Sequence, residues 1–303
     1  MKKLTLLFFA SLTYFFLNAQ SAELKYNLEA NKTYRLKNSS VENTTAKGMN
    51  TESKTDIVVS IKPVNLDKEF FIASVKFDTM NITNSMPAME IRSAKGGDIA
   101  SADPALAFNA IINRLCSNEI IAKLDYTGKV LDVMNYDAIS KNIFAGIDQL
   151  GSQAKMMVEM QANMMASKEM ISSMIEGTLH ILPGTKVSAG DDWKIDILVS
   201  AGGIKMKVST DYKLTGIEGN IATIEGKNTV VPASDEPVMM NGMSITTNVQ
   251  GMGKVKYLVD TKTGFIISGS SEMQSSGTNT INAQGQTMEV PMEKISESTI
   301  KAL

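Results

Sequence analysis

Residues 153–184, QAKMMVEMQANMMASKEMISSMIEGTLHILPG, are the stretch around which the rest of the chain is organised. At 100° per residue, its apolar side chains fall within an arc of roughly 140°, the width of one buried helix face. The pattern predicts one long amphipathic helix that ends near Gly177 and Pro183, since neither residue continues a helix well. The residues on the arc are Met156, Met157, Met160, Met164, Met170, Ile171, Met174 and Ile175.

The methionines of this face have three interpretations. Unbranched thioethers fill irregular gaps in a core, they form adaptable surfaces for apolar ligands or partners, and they bind Cu(I). The short Met repeats with His that would favour copper are absent from the sequence, so we predict no metal. Core packing and ligand binding both stay open. The candidate ligand-binding residues are Met156, Met157, Met160, Met164, Ile171 and Met174.

Residues 1–20 resemble a secretory signal peptide. Lys2 and Lys3 precede an apolar run, and residues 18–20, Asn-Ala-Gln, provide a cleavage region. The sequence therefore predicts export to the periplasm or the extracellular space. The apolar run is shorter than a membrane span and no second run follows, so we expect no integral span after cleavage. No cysteine lies near the cleavage region, so we expect no lipid anchor.

The composition of the mature chain disfavours nucleic-acid binding. Without Lys2 and Lys3, the 30 basic residues fall to 28 against 32 acidic residues, which gives a net charge of −4. No basic cluster is interleaved with aromatic residues, as a nucleic-acid surface would require. The one cysteine, Cys116, can form no intrachain disulfide. It shares an apolar helix face with Ile112 and Leu115, so we predict that it is buried.

Alternating apolar and β-branched residues predict long antiparallel strands on both sides of the helical stretch. Between Phe71 and Phe77, for example, every second side chain is apolar. We expect an α+β fold in which long antiparallel sheets form two pseudo-repeated lobes packed around amphipathic helices. The predicted segments are a first β-rich half at 21–135, a central helical segment at 136–182 and a second β-rich half at 183–303. The first half contains an inserted helix at 104–117. The central segment begins with a helix that is capped by Asp137 and runs to Leu150.

The two β-rich halves show a weak internal repeat. Tyr34 aligns with Trp193, and Ile72 aligns with Ile221. The Asp-Tyr-Thr-Gly turn at 125–128 parallels the Asp-Thr-Lys-Thr-Gly turn at 260–264. These landmarks occur in the same order in both halves, so we predict a duplicated antiparallel unit.

Three motifs carry a family resemblance: Tyr26-x-Leu28 with Tyr34, the stretch from Leu182 to Trp193, and Tyr212-x-Leu-x-Gly-Ile217. With the signal-like start, they resemble uncharacterised secreted β-rich families of Gram-negative bacteria. That resemblance implies a fold and a secreted protein but no established activity. The expected architecture is also similar to that of periplasmic lipoprotein carriers, in which a curved sheet surrounds an apolar cavity; this likeness does not fix a function.

The sequence offers little catalytic chemistry. His180 is the only histidine and lies between apolar residues, so we predict a structural role for it. The acidic pairs at 191–192 and 235–236 are adjacent residues in turns, which point apart rather than across a cleft. We interpret Gly251-Met-Gly253 as a β-bulge rather than a phosphate-binding loop. We predict no catalytic residue and no cofactor, and therefore a protein that is not an enzyme.

Together these observations predict an exported, non-enzymatic protein of the cell envelope that binds or carries an apolar small molecule or a partner protein. The alternative is a structural or assembly component of the envelope that acts through protein contacts. A carrier requires a cavity, whereas an assembly component requires an exposed apolar patch.

Overall fold

The computed structural model describes residues 21–85, 88–99, 101, 104–201, 204–240, 243–283 and 285–303. The predicted signal peptide, residues 1–20, lies outside the described residues. The first β-rich half contains β1 (Ser21–Glu23), β2 (Tyr34–Ala46), β3 (Met49–Leu66), β4 (Phe70–Ser85), β5 (Ala88–Arg92), α1 (Pro104–Ser117), β6 (Ile120–Asp125) and β7 (Val130–Val133).

The central segment and the second half follow. The helices of the central segment are α2 (Tyr136–Ile143), a 3₁₀ turn (Ile147–Gln149), α3 (Ser152–Ala166) and α4 (Lys168–Leu179). The strands of the second half are β8 (Lys186–Ser188), β9 (Asp192–Ala201), β10 (Ile204–Glu218), β11 (Ile221–Pro232), β12 (Val238–Met240), β13 (Met243–Asp260), β14 (Ile266–Ala283) and β15 (Gln286–Ala302).

Within the described residues, thirteen strands form one sheet in which all the pairings are antiparallel. The order across it is β7-β6-β4-β3-β2-β15-β14-β13-β11-β10-β9, with β5 added to β4 and β12 to β13. This confirms the predicted α+β fold with long antiparallel strands. Pairing of β15 with β2 joins the two halves, so the expected lobes share one sheet. Both halves run as a meander in the same direction across it; the duplication itself stays a prediction.

The strands form where apolar and polar residues alternate, because each strand has one face on the core. In β4, Phe71, Ala73, Val75 and Phe77 are buried, while Lys76 is exposed. The predicted bulge at Gly251–Gly253 is wrong, since β13 and β14 keep continuous register through these residues. A glycine is needed there for a different reason: a Cβ at residue 253 would come within 2.3 Å of the carbonyl oxygen of Glu272.

The predicted single Met helix is wrong, because the chain forms two helices separated at Ser167. Its backbone is extended, with φ −66° and ψ 158°, and its side chain accepts a hydrogen bond from the N–H of Met170. Serine is a favoured N-cap residue, and here it starts a new helix in the middle of the periodic stretch. Among the α3 side chains that the structure describes, the buried ones are Val158, Ala162 and Ala166, and none of these is a methionine.

The prediction for the preceding helix is also corrected. Asp137 is not its cap; the N-cap residue is Asn135, which makes no side-chain capping hydrogen bond, and Asp137 lies in the first turn. The helix ends at Ile143 rather than near Leu150, and a separate 3₁₀ turn follows. Ile143 at the end of α2 and Ile147 in the 3₁₀ turn are both buried, so the apolar spacing of the sequence continues from one element into the next. The backbone nevertheless changes from an α-helix to a 3₁₀ turn between them.

The N-terminal residues of the described chain lie between two hairpin turns. The N–H of Tyr26 donates to the carbonyl of Tyr126, and the N–H of Asn27 donates to the carbonyl of Thr263. The side chains of Leu24 and Tyr26 are fully buried in the core. This segment therefore fastens the turns of the two halves to each other.

Candidate functional site

A cavity of about 220 Å³ lies between α4 and the inner face of the second half. Its apolar walls come from Ile197, Val199, Val208, Val255 and Ile300, which lie on β9, β10, β13 and β15. The polar side chains of its lining are Asn38, Thr210, Tyr212, Asn228, Tyr257, Ser270, Ser271 and Ser298. The remaining lining residue is Gly177 of α4, and none of the described residues in the lining carries a charge.

Helix α4 forms one wall of the cavity and is fixed to both edges of the sheet. Glu176 accepts a hydrogen bond from the N–H of Val130 on β7 at 2.9 Å. On the other side, the hydroxyl of Ser173 donates to the carbonyl of Leu198 on β9 at 3.1 Å. Ile175 is buried against the first half of the sheet, beside a void of about 10 Å³. The helix therefore packs tightly on one half and leaves space on the other.

Gly177 leaves the space open on the helix side. A Cβ built at this position would have no neighbouring atom within 4 Å. Gly177 is also exposed to solvent, so it lies where the cavity opens to the surface. The size of the side chain at this position therefore bears on access to the cavity.

Buried polar oxygens occur on the inner face of this half. In the described part of the chain, Asn228 Oδ1, Thr247 Oγ1 and Asn279 Oδ1 are buried without a hydrogen-bond partner. Asn228 lines the cavity. Thr247 and Asn279 are opposite each other on β13 and β14, farther along the strands, and do not line it. A buried acceptor without a protein partner is costly, so such a group in a cavity marks a place where a water molecule or a polar group of a ligand can bind.

Aromatic side chains lie in and beside the lining of the cavity, which includes Tyr212 and Tyr257. Trp193 stacks on Tyr212 with 5.7 Å between ring centroids, and its indole N–H donates to the carbonyl of Ile181. Desolvation raises the pKa of Tyr257 to about 12, and burial also raises the pKa of Tyr212. The hydroxyl of Tyr26 donates to the carbonyl of Leu179 at the end of α4. These phenols stay protonated at neutral pH, so the cavity is uncharged there.

The sequence profile of a family described as "Family of unknown function (DUF6263)" matches residues 68–266, more than half of the chain. The chain belongs to the DUF6263 family. This confirms the expected membership of an uncharacterised family, while Gram-negative origin and secretion stay predictions. No curated protein matches this DUF6263 chain.

The fold was also compared with solved structures. One described as "Lipid-protein interactions in lipovitellin" shares 12% identity over 91% of this DUF6263 chain, with a TM-score of 0.42; the chain spans only 25% of that protein. An outer membrane channel from Pseudomonas putida F1 is 6% identical, and the match covers 92% of this chain and 97% of the channel, with a TM-score of 0.18. OpdQ from Pseudomonas aeruginosa is 6% identical, and the match covers 91% of this chain and 100% of OpdQ, with a TM-score of 0.20.

The predicted methionine face does not form one surface in this DUF6263 chain. Met156 and Met157 are 62% and 41% exposed on α3, and Met160 is half-buried there. On α4, Ile171 is buried and Met174 packs partly against the core. The side chain of Met164 lies outside what the structure describes. None of the described side chains among them lines the cavity beside α4, and their role in ligand binding stays a prediction.

The lining residues were missed because they come from separate strands. A usable indication is nevertheless present in β11, where the inward positions run Ala222, Ile224, Gly226, Asn228 and Val230. A glycine and an amide replace the apolar residues that a closed core would require. Small or polar residues at alternate positions of an otherwise apolar strand face indicate a cavity.

The other candidate residues occupy structural positions. Cys116 is buried, as predicted, and burial raises the pKa of its thiol to about 11. Burial lowers the pKa of His180, which ends α4 and has a buried Nδ1 without a partner in the described chain. Asp191 accepts a hydrogen bond from the N–H of Ser188 in the turn before Trp193. In the described chain, no three His, Cys, Asp or Glu side chains form a group that could hold a metal ion.

We expect the attachment of α4 to depend on pH through Glu176. Burial raises the pKa of its carboxyl group, although Lys129 and the hydrogen bond from Val130 oppose the shift. Because the folded pKa lies above the unfolded pKa, the associated stability is present at low pH and lost as the pH rises through the folded pKa. Glu176→Gln keeps an acceptor for Val130 but cannot ionise. We therefore expect its melting temperature to exceed that of the wild type by a few degrees at about pH 7, and not at about pH 3.5.

Thermal unfolding followed by circular dichroism at both pH values would measure this effect. Glu218→Gln is the matched control, because Glu218 is exposed at the end of β10. A lower melting temperature of Glu176→Gln at neutral pH would contradict the expected cost of the buried charge.

Proposed function

We propose that this protein binds an apolar or amphiphilic small molecule between α4 and the inner face of the second half, and that it acts as a carrier without catalysis. The observation that supports this most is the cavity of about 220 Å³ beside Gly177. Apolar cavities of about 150 Å³ hold a molecule such as benzene, so this one has room for a ring or for one end of a longer chain, whose remainder would extend past the exposed Gly177. On the side of α4 that faces the first half, the side chains pack against the sheet around a void of about 10 Å³. The larger space therefore lies on the side that faces the second half.

We further propose that the carrier works outside the cytoplasm, in the periplasm or beyond. The charged and then apolar start of the chain supports this proposal. None of the helices in the described part of the chain has the length and apolar character needed to cross a membrane. Expression with residues 1–20 intact, followed by fractionation and N-terminal sequencing of the purified protein, tests export and cleavage together.

Native mass spectrometry of the protein purified from its own cells tests ligand binding. We expect a stoichiometric apolar adduct that organic extraction removes and identifies. The extracted protein should recover the same mass increment when the extract is returned to it. A clean protein with nothing extractable, which also fails to bind an apolar dye such as N-phenyl-1-naphthylamine, would count against a carrier.

Assembly with a partner protein is the second candidate function. It is supported by the exposure of Met156 and Met157 on α3, since exposed methionines form adaptable contact surfaces. In that case the same mass spectra would show a higher oligomer or a protein partner, which Met156→Glu with Met157→Glu would remove. The carrier predicts that this double variant keeps the small-molecule adduct.

A further inference from the structure

Asn228 is the one cavity-lining residue among the described buried groups that lack a hydrogen-bond partner. Its side chain is only 7% exposed, and its Oδ1 is buried. It lies beside Gly253 on the neighbouring strand, where an added Cβ would come within 2.5 Å of Oδ1. The absence of a side chain at Gly253 therefore leaves room for the side-chain amide of Asn228.

Within the lining of this cavity, the neighbours of Asn228 are polar but uncharged. Thr210, Tyr257, Ser271 and Ser298 contribute hydroxyl groups to the same cavity. An ion pair on the same inner face, Lys294 with Glu42 at 2.5 Å, lies farther along β15 and β2 and outside the lining. Each of its charges already has an opposite partner. The described lining thus offers no cation that could neutralise an anionic ligand.

This arrangement selects for the polar group of a ligand. An alkyl chain can occupy the space between Ile197, Val208 and Ile300, but it leaves the acceptor on Asn228 without a donor. A hydroxyl group can donate to Oδ1 and accept from a neighbouring hydroxyl. A carboxylate or phosphate would lose its hydration with no counter-charge to replace it.

We propose that the ligand is an uncharged amphiphile whose hydroxyl group donates a hydrogen bond to Asn228, with its apolar part against the walls of the cavity. This inference rests on the proposed carrier function and adds the chemical class of the ligand. Long-chain alcohols belong to this class, whereas fatty acids and phospholipid phosphates do not.

Competition binding with three probes of equal chain length tests the proposal. 1-Dodecanol, dodecanoate and dodecane each compete with N-phenyl-1-naphthylamine for the extracted protein, and the fluorescence of the dye is measured. We expect 1-dodecanol to bind most tightly. Asn228→Leu removes the acceptor at similar size, so it should weaken 1-dodecanol binding by about tenfold and leave dodecane binding unchanged.

Thr229→Leu is the matched control, because Thr229 is the exposed neighbour on the opposite face of β11. It should keep the preference for the alcohol. Asn228→Leu removes a buried polar group without a partner, so its melting temperature should not fall; Asn228→Ala provides a second variant should leucine disturb the strand. Equal affinity for dodecanoate and 1-dodecanol, or an unchanged preference in both Asn228 variants, would overturn the assignment while the carrier function stands. Failure of all three probes and of the dye would instead remove the carrier function.

Discussion

Gly177→Leu is expected to abolish ligand binding while the protein stays folded. Gly177 lines the cavity and is itself exposed to solvent, and no atom lies within 4 Å of a Cβ at this position, so we expect the leucine side chain to obstruct the opening of the cavity. Residue 177 lies inside α4, where replacing glycine raises the helix propensity by up to about 1 kcal/mol. Dye binding and the native mass adduct should both be lost. The melting temperature should stay equal to that of the wild type or rise.

Two variants distinguish occupation of the cavity from a general effect on α4. Gly177→Ala adds one methyl group and should keep most of the binding while gaining the same helix propensity. Glu169→Leu adds a leucine to an exposed position of the same helix and should bind normally. Full binding by Gly177→Leu would place the ligand elsewhere, and the exposed methionines of α3 would then become the first site to examine.

The strands were predictable because their period is local. The β4 alternation of Phe71, Ala73, Val75 and Phe77 can be read from consecutive residues, and it matches their burial. Helix α1 occupies the predicted residues 104–117, since its apolar face repeats within the helix itself. The pairing of β15 with β2, by contrast, joins residues more than 200 positions apart. The sequence of neither strand identifies its pairing partner. The same alternation of residues would therefore be found in two separate lobes and in one shared sheet.

The cavity was not predictable for the same reason. Its lining includes Asn38, Gly177, Asn228 and Ser298, which lie on four different elements. Hydrophobic periodicity singled out the methionines, because it reports which residues share a helix face and not what that face meets. On α3 the smaller residues Ala162 and Ala166 are buried instead. Small side chains allow a neighbouring helix to approach closely, and helix α1 packs against α3. A cavity forms between elements that are far apart in the sequence, so it can be recognised only in the folded structure.

Gly264→Ala is expected to cost about 3 kcal/mol or more of folding free energy, because two effects add at this position. Residue 264 has a φ of +70°, which non-glycine residues rarely adopt. In addition, the new Cβ would lie 2.1 Å from the carbonyl oxygen of Lys25 and 3.0 Å from the Cα of Tyr26. The backbone here is held by the buried side chains of Leu24 and Tyr26, so it cannot yield without straining the hydrogen bond from Asn27 to Thr263. Urea unfolding of both proteins measures the loss.

Gly219→Ala separates the two effects. Residue 219 is also in a hairpin turn and has a φ of +60°, but no atom lies within 4 Å of its Cβ. This control should lose only the cost of the backbone conformation, about 1 to 2 kcal/mol. The extra loss in Gly264→Ala then measures how firmly residues 24–27 are held between the two turns. Faster hydrogen exchange at the amide of Asn27 should accompany it, since that amide donates to Thr263. Equal losses in both variants would mean that the segment moves aside at no cost and does not fasten the turns.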